Sequence, residues 1–163
     1  MNNLPLNIDF SNKTVVVTGA GGVLCSYFAK VLARAGAKVA LLDLNEEAAK
    51  AFADEIVAEG WAAKAYKCNV LEKDTCYAVA DAVEADLGKC DILINGAGGN
   101  SPKASTDIET MTPDVEGVKT FFDIDEQGFK FVFDLNITSA FLVTQVFAKD
   151  MIKTGGNIIN VSS

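Results

Sequence analysis

The stretch KTVVVTGAGGVLCSYFAKVLARAGAKVALLDLNEE, residues 13–47, leaves this chain few folds to choose from. Thr14 to Thr18 is a short valine-rich run, the pattern of a strand buried on both faces. A glycine cluster follows, and then Leu24, Phe28, Val31, Leu32 and Ala35 draw one apolar stripe down a helix. Gly36 falls where a left-handed C-terminal cap is expected. Val39 to Leu42 is a second buried strand that ends at Asp43. Strand, glycine loop, helix and strand in that order predict parallel pairing through a right-handed crossover.

The unit then repeats. Asn45 is placed to cap a helix whose first turn carries Glu46 and Glu47, favourable at the positive end of its dipole. Ala49, Phe52, Ala53, Ile56 and Val57 are its expected buried face. AKAYKCNV reads as a third strand, and a helix over about 73–87 buries Cys76, Val79, Ala80 and Val83. CDILINGAGG is a fourth strand with a second glycine-rich turn. A polar excursion from Asn100 to Asp125 has room for one short helix. A long helix over about 126–153 leads to a fifth buried strand, Asn157 to Val161. The alternation predicts an α/β fold, an open doubly wound parallel (Rossmann) sheet of five strands, with residues 1–163 in one domain.

Composition narrows the chemistry. Half the residues are hydrophobic and 22% charged, a globular profile. A net charge of −8 argues against nucleic acid or an anionic membrane as partner. No apolar run approaches the roughly 20 residues that cross a bilayer. The opening MNNLPLNIDFSNK lacks a signal-peptide pattern, so a cytoplasmic protein is expected. The four cysteines form no C-x-x-C pair and read as reduced, mostly buried thiols. Histidine is absent, which removes a Ser-His-Asp triad, a Cys-His pair and any His-based zinc site; no metal is expected.

Two turns can carry a ligand. Backbone N–H groups behind Gly19, Gly21 and Gly22 point at whatever occupies the first turn, and the helix dipole favours a phosphate there. A merely tight strand-to-helix turn is the plainer alternative. Asp43 lies 24 residues after Gly19, where a carboxylate can accept both ribose hydroxyls of an adenosine and repel a 2′-phosphate. The plainer alternative there is a solvated strand end or helix cap. Asn95 to Gly98 follow the fourth strand beside the point where strand order reverses. Small residues leave room for a flat ligand, and Asn95 can tie neighbouring strands together. Asn136, inside the long helix, is placed either to hydrogen-bond across the core or to hold a water.

Taken jointly, these segments resemble the short-chain dehydrogenase/reductase family. TGAGGVLCS takes the place of its Thr-Gly-x-x-x-Gly-x-Gly loop, LLDLN of its NAD-selecting acid, CNV of its adenine-contacting Asp-Val and INGAGG of its Asn-Asn-Ala-Gly turn. The resemblance implies cofactor contacts from Gly19, Gly21, Gly22, Val23, Leu24, Asp43, Asn69, Val70, Asn95, Ala97 and Gly98. FDLNITSAF resembles the segment of the family's catalytic Asn, implying Asn136, and GNIINVSS the strand of its catalytic Ser, implying Ser163. The chain departs from the pattern at Val23 and Cys25, which stand at the second and third glycines, at Asn69 for Asp, and at Gly96 for the second Asn. The glycines at 21 and 22 are the expected compensation.

Within the family, GVLCS, GAGGNSPKAS and the acidic excursion are most like the D-mannonate oxidoreductase (fructuronate reductase) branch. The resemblance implies an NAD-dependent oxidoreductase acting on a sugar acid or polyol, as a homo-oligomer. Lys103 is one of few cations available to meet a substrate carboxylate, a solvated loop lysine being the plainer alternative. The family's Tyr-x-x-x-Lys does not occur: Tyr27, Tyr66 and Tyr77 each lack a Lys four residues on. The chain therefore reads as the cofactor-binding front of a longer enzyme, truncated at the catalytic serine and inactive alone. A non-catalytic dinucleotide-binding module or redox-sensing subunit is the other reading, and the nucleotide half of a flavoprotein a third.

Overall fold

The computed structural model describes residues 8–162. Its strands are Thr14–Thr18 (β1), Lys38–Asp43 (β2), Ala63–Lys67 (β3), Ile92–Asn95 (β4) and Asn157–Asn160 (β5). All pair in parallel in the spatial order β3-β2-β1-β4-β5. The chain winds outward from β1 to β3 and then crosses to the other side of β1 at β4. That reversal opens a crevice at the carboxyl ends of β1 and β4.

Val23–Arg34 (α1) and Glu46–Ala58 (α2) cover one face of the sheet; Lys73–Asp86 (α3) and Ser139–Phe147 (α5) cover the other. Alternate strand residues divide between the two layers. Val15, Val17, Val39 and Leu41 face α1 and α2, whereas Val16, Ala40, Leu42 and Leu93 face α3 and α5. Strands buried on both faces are continuously apolar for this reason. All four cysteines are buried and unpaired by disulfides.

Five expectations need correction. The α1 stripe of large residues is not its buried face: Cys25, Ser26, Ala29 and Ala33 are buried, and Leu24 is 53% exposed. The helix lies close above the sheet, so only small side chains fit beneath it, and Phe28 and Leu32 pack at its flanks. In α2 the same geometry buries Ala49, Ala53 and Ile56 and leaves Val57 exposed.

The long helix is also not continuous to residue 153. Glu126–Phe133 (α4) passes through a π turn, Asp134–Thr138, into α5, which stops at Phe147; a single turn, Met151–Thr154 (α6), follows. Side-chain donors compete for its carbonyls: Asn136 Nδ2 donates to Val132 O at 2.7 Å and Ser139 Oγ to Leu135 O at 2.6 Å. The excursion before it holds two short 3₁₀ turns, Pro102–Ala104 and Phe121–Asp123, instead of one.

Finally, β5 is exposed along its whole length rather than buried. It pairs with β4 at the sheet edge, and among the described residues no second strand joins it.

Candidate functional site

Two turns meet at the switch point, and glycine is what lets them touch. Gly19 has φ +67°, and a Cβ there would lie 2.8 Å from Gly96 O and 2.9 Å from both N and Cα of Ala97. Thr18 Oγ1 then pins the second turn to the first, accepting from Gly96 N at 3.0 Å and Ala97 N at 3.1 Å. Gly22 N donates to Gly19 O at 3.0 Å, and Gly22 caps α1 without any side-chain hydrogen bond. The first-turn N–H groups of α1, beginning at exposed Val23, therefore have no side-chain cap.

Asp43 is more than a strand end. Its Oδ2 accepts from Gly21 N at 2.8 Å and its Oδ1 from Asn45 N at 2.8 Å. The carboxylate thus joins the glycine loop to the start of α2, while Asn45 caps that helix at Ala48 N as expected. Next to it, Cys68 N donates to Asp43 O at 2.9 Å, bringing the exit of β3 alongside. Asn69 is spent locally: Oδ1 accepts from Leu71 N at 3.1 Å and Nδ2 donates to Glu72 Oε1 at 2.8 Å. Val70 is buried in the core layer of α3 and α5.

Asn95 ties neighbouring elements together, as its position implied. Nδ2 donates to Asn160 Oδ1 on β5 at 2.8 Å and to Thr144 Oγ1 on α5 at 3.0 Å. The residue is 4% exposed, and its Oδ1 is buried without a partner. Asn136 neither crosses the core nor lies in it. It is exposed on the π turn, where Nδ2 donates to Gly99 O at 2.7 Å and Oδ1 accepts from Gly99 N at 3.1 Å. One amide thus clamps both backbone groups of the residue after Gly98.

Between these groups lies a cleft of about 760 Å³. Leu24, Ala97, Gly98 and Asn136 line it, together with apolar side chains of α4 and the π turn and with Ser162. Ser163 lies outside the described residues. Lys103 is not among the lining residues: it sits on the first 3₁₀ turn, where Lys103 O accepts from Asp125 N at 3.0 Å and its side chain packs against Gly128 of α4.

Sequence reasoning passed over Thr18, Gly99, Thr144 and Asn160, although together they fasten the site. Their partners lie 37 to 79 residues away, so no local spacing reveals them.

A parallel sheet with paired glycine turns at its switch point defines a Rossmann-type α/β protein. The family model for short chain dehydrogenases matches residues 13–163, and the chain belongs to that family. It is 56% identical over 163 residues to an uncharacterized oxidoreductase of Haemophilus influenzae, covering 99% of this chain and 57% of that one. It is 34% identical to the 7α-hydroxysteroid dehydrogenase of Escherichia coli K12, covering 94% and 53% respectively. Among solved structures, a proposed D-mannonate oxidoreductase from Haemophilus influenzae with bound NAD superposes with a TM-score of 0.92 at 56% identity, over 96% of this chain and 56% of that one. A 7α-hydroxysteroid dehydrogenase complexed with NADH and 7-oxo glycochenodeoxycholic acid gives a TM-score of 0.81 at 34% identity, over 96% and 55%. The chain spans little more than half the length of these relatives.

Proposed function

We propose that this chain is the NAD-binding part of an oxidoreductase that moves hydride between nicotinamide and a carbonyl or alcohol of a sugar acid or polyol. The observation that carries the reading is Asp43, held against the glycine loop by Gly21 N at the carboxyl end of β2. The residues fit the cofactor. The turn around Gly19 admits close approach, the uncapped start of α1 suits the pyrophosphate, and Asp43 suits an adenosine ribose bearing no 2′-phosphate. Val23 and Leu24 open that helix, Asn69 and Val70 border the adenine side, and Asn95 to Gly98 support the nicotinamide side. When bound, the cofactor would supply the hydride acceptor as NAD and the hydride donor as NADH. The protein binds and orients it, keeps the two turns together through Thr18, and fixes the β4 turn through Asn136. Ser163 is assigned the substrate oxygen by family resemblance.

A fructuronate/mannonate substrate pair is supported by the 56% identical relative whose structure is described as a proposed D-mannonate oxidoreductase. No helix among the described residues is long and apolar enough to cross a membrane.

NAD is expected to bind more tightly than NADP, with Asp43 the cause. A hydrogen bond to a charged group is worth about 1.5–3 kcal/mol, so Asp43→Ala should weaken NAD roughly 10- to 100-fold. Its effect on NADP should be smaller, because loosening the loop affects both cofactors whereas losing the repulsion helps only one. Calorimetric titration of wild type and variant with both cofactors decides it; tighter NADP binding by the wild type refutes the reading.

A homo-oligomer is the proposed assembly. Val143, Val146 and Phe147 are spent on the sheet, but Phe129, Phe131, Phe133, Ile137 and Phe141 stay exposed along α4, the π turn and α5. Contiguous exposed apolar surface beyond a few hundred Å² marks an interaction face. The 163-residue polypeptide should therefore self-associate, and a monomer unchanged on dilution in light scattering would contradict this.

A further inference from the structure

Cys25 lies on the first turn of α1, and Gly96 is the first residue after β4. A side-chain carbon on Gly96 would collide with Cys25 Sγ; the next atoms it meets are Thr18 O at 3.0 Å and Cys25 Cβ at 3.8 Å. Gly96 is not among the glycines of positive φ, so its backbone does not itself require glycine. The thiol is the nearest obstacle to a side chain there, and the Thr18 carbonyl is the second, which must give by a few tenths of an ångström. Cys25 is 5% exposed, and burial followed by the nearby Asp43 charge raises its pKa, so it packs as a neutral group. It has little freedom to retreat, because Ala29 and Ala33 hold the same helix face close against the sheet. On the other side, Thr18 Oγ1 holds Gly96 N and Ala97 N in place.

We propose that Cys25 and Gly96 form one positioning pair: the thiol seats in the notch left by the missing side chain and sets the spacing between the first turn of α1 and the β4 turn. This rests on the NAD reading, in which those turns hold the phosphates and the nicotinamide half. It also assigns the compensation for two motif departures to each other, the cysteine at a glycine position being accommodated by the glycine at an asparagine position. The glycines at 21 and 22 have other tasks: Gly21 N is taken by Asp43, and Gly22 caps α1.

The test is the set Gly96→Ala, Cys25→Ala and the double variant, with NAD affinity read by calorimetry and Tm read without cofactor. Gly96→Ala alone should weaken NAD by about tenfold, and Cys25→Ala by no more than about threefold; contacting residues are expected to be non-additive in this way. The double variant should return to within about threefold of wild type in affinity, with a Tm above that of Gly96→Ala. A double variant as weak as Gly96→Ala overturns the proposal. So does one whose Tm recovers while its affinity does not, because the pair would then be structural only. Failure of the wild type to bind NAD would instead refute the NAD reading. The packing pair would then be judged by Tm alone, equal values for the double variant and Gly96→Ala rejecting it.

Discussion

Gly19→Ala is expected to abolish measurable cofactor binding and to lower Tm by roughly 6–12 °C, the shift for about 3 kcal/mol in a chain of this size. Two effects add. A non-glycine residue in the left-handed region costs on the order of 1–3 kcal/mol. The new Cβ would also sit 2.8–2.9 Å from three backbone atoms of Gly96 and Ala97, none of which is the flexible end of a side chain. Overpacking of that kind costs about 1–3 kcal/mol and must separate the two turns. Gly60→Ala is the matched control. Gly60 has φ +91° with nothing within 4 Å of its Cβ position, so it carries the backbone strain alone. Thermal melts of both variants, with NAD titrations, check the result; equal loss in the two would show that the contact between the turns contributes nothing.

A polypeptide of residues 1–163 is expected to give no turnover with NADH and fructuronate or a panel of keto sugars. A positioned general acid or base contributes about 10²- to 10⁴-fold. The family resemblance assigns that role to a Tyr-x-x-x-Lys that these residues do not contain. None of the three tyrosines present can substitute, since none lines the cleft. Tyr66 donates to Asp86 Oδ2 at 2.9 Å, and burial first, then that carboxylate, push its phenol further above the ordinary range. Tyr77 sits between Lys73 and Lys149, 5.9 and 5.0 Å from its ring, on α3, away from the switch point. With no histidine, no side chain with an unperturbed pKa near neutrality is present. NADH absorbance followed at high protein concentration tests this, and turnover above a Ser163→Ala control would refute it.

Much of the fold was legible because parallel strands and their helices are local runs with strong period. All five strands and the helices α1 to α3 fall within the segments that the strand runs, the Asn45 cap and the glycine punctuation marked, although β3 ends at Lys67, short of the expected run. The two glycine turns and Asp43 were legible too, since a tight turn and a strand-end acid are written in adjacent residues. What composition and spacing left open was which residues bear on each other across the sheet. Leu24, Phe28 and Val31 read as a buried face because large apolar residues dominate any helical pattern. The depth at which α1 rests on the sheet instead selects Cys25, Ala29 and Ala33.

The amino-acid sequence by itself determined the parallel α/β architecture, the position of both glycine turns and the family. Only the tertiary structure decided how that site is fastened: Thr18 to Gly96 and Ala97, Asn136 to Gly99, Asn95 to Asn160 and Thr144, and the thiol of Cys25 against Gly96. The physical reason is range. Turn and strand preferences are set by each residue's own backbone and its near neighbours, whereas a hydrogen bond or a close contact across a sheet exists only once the strand order brings distant segments to the same edge.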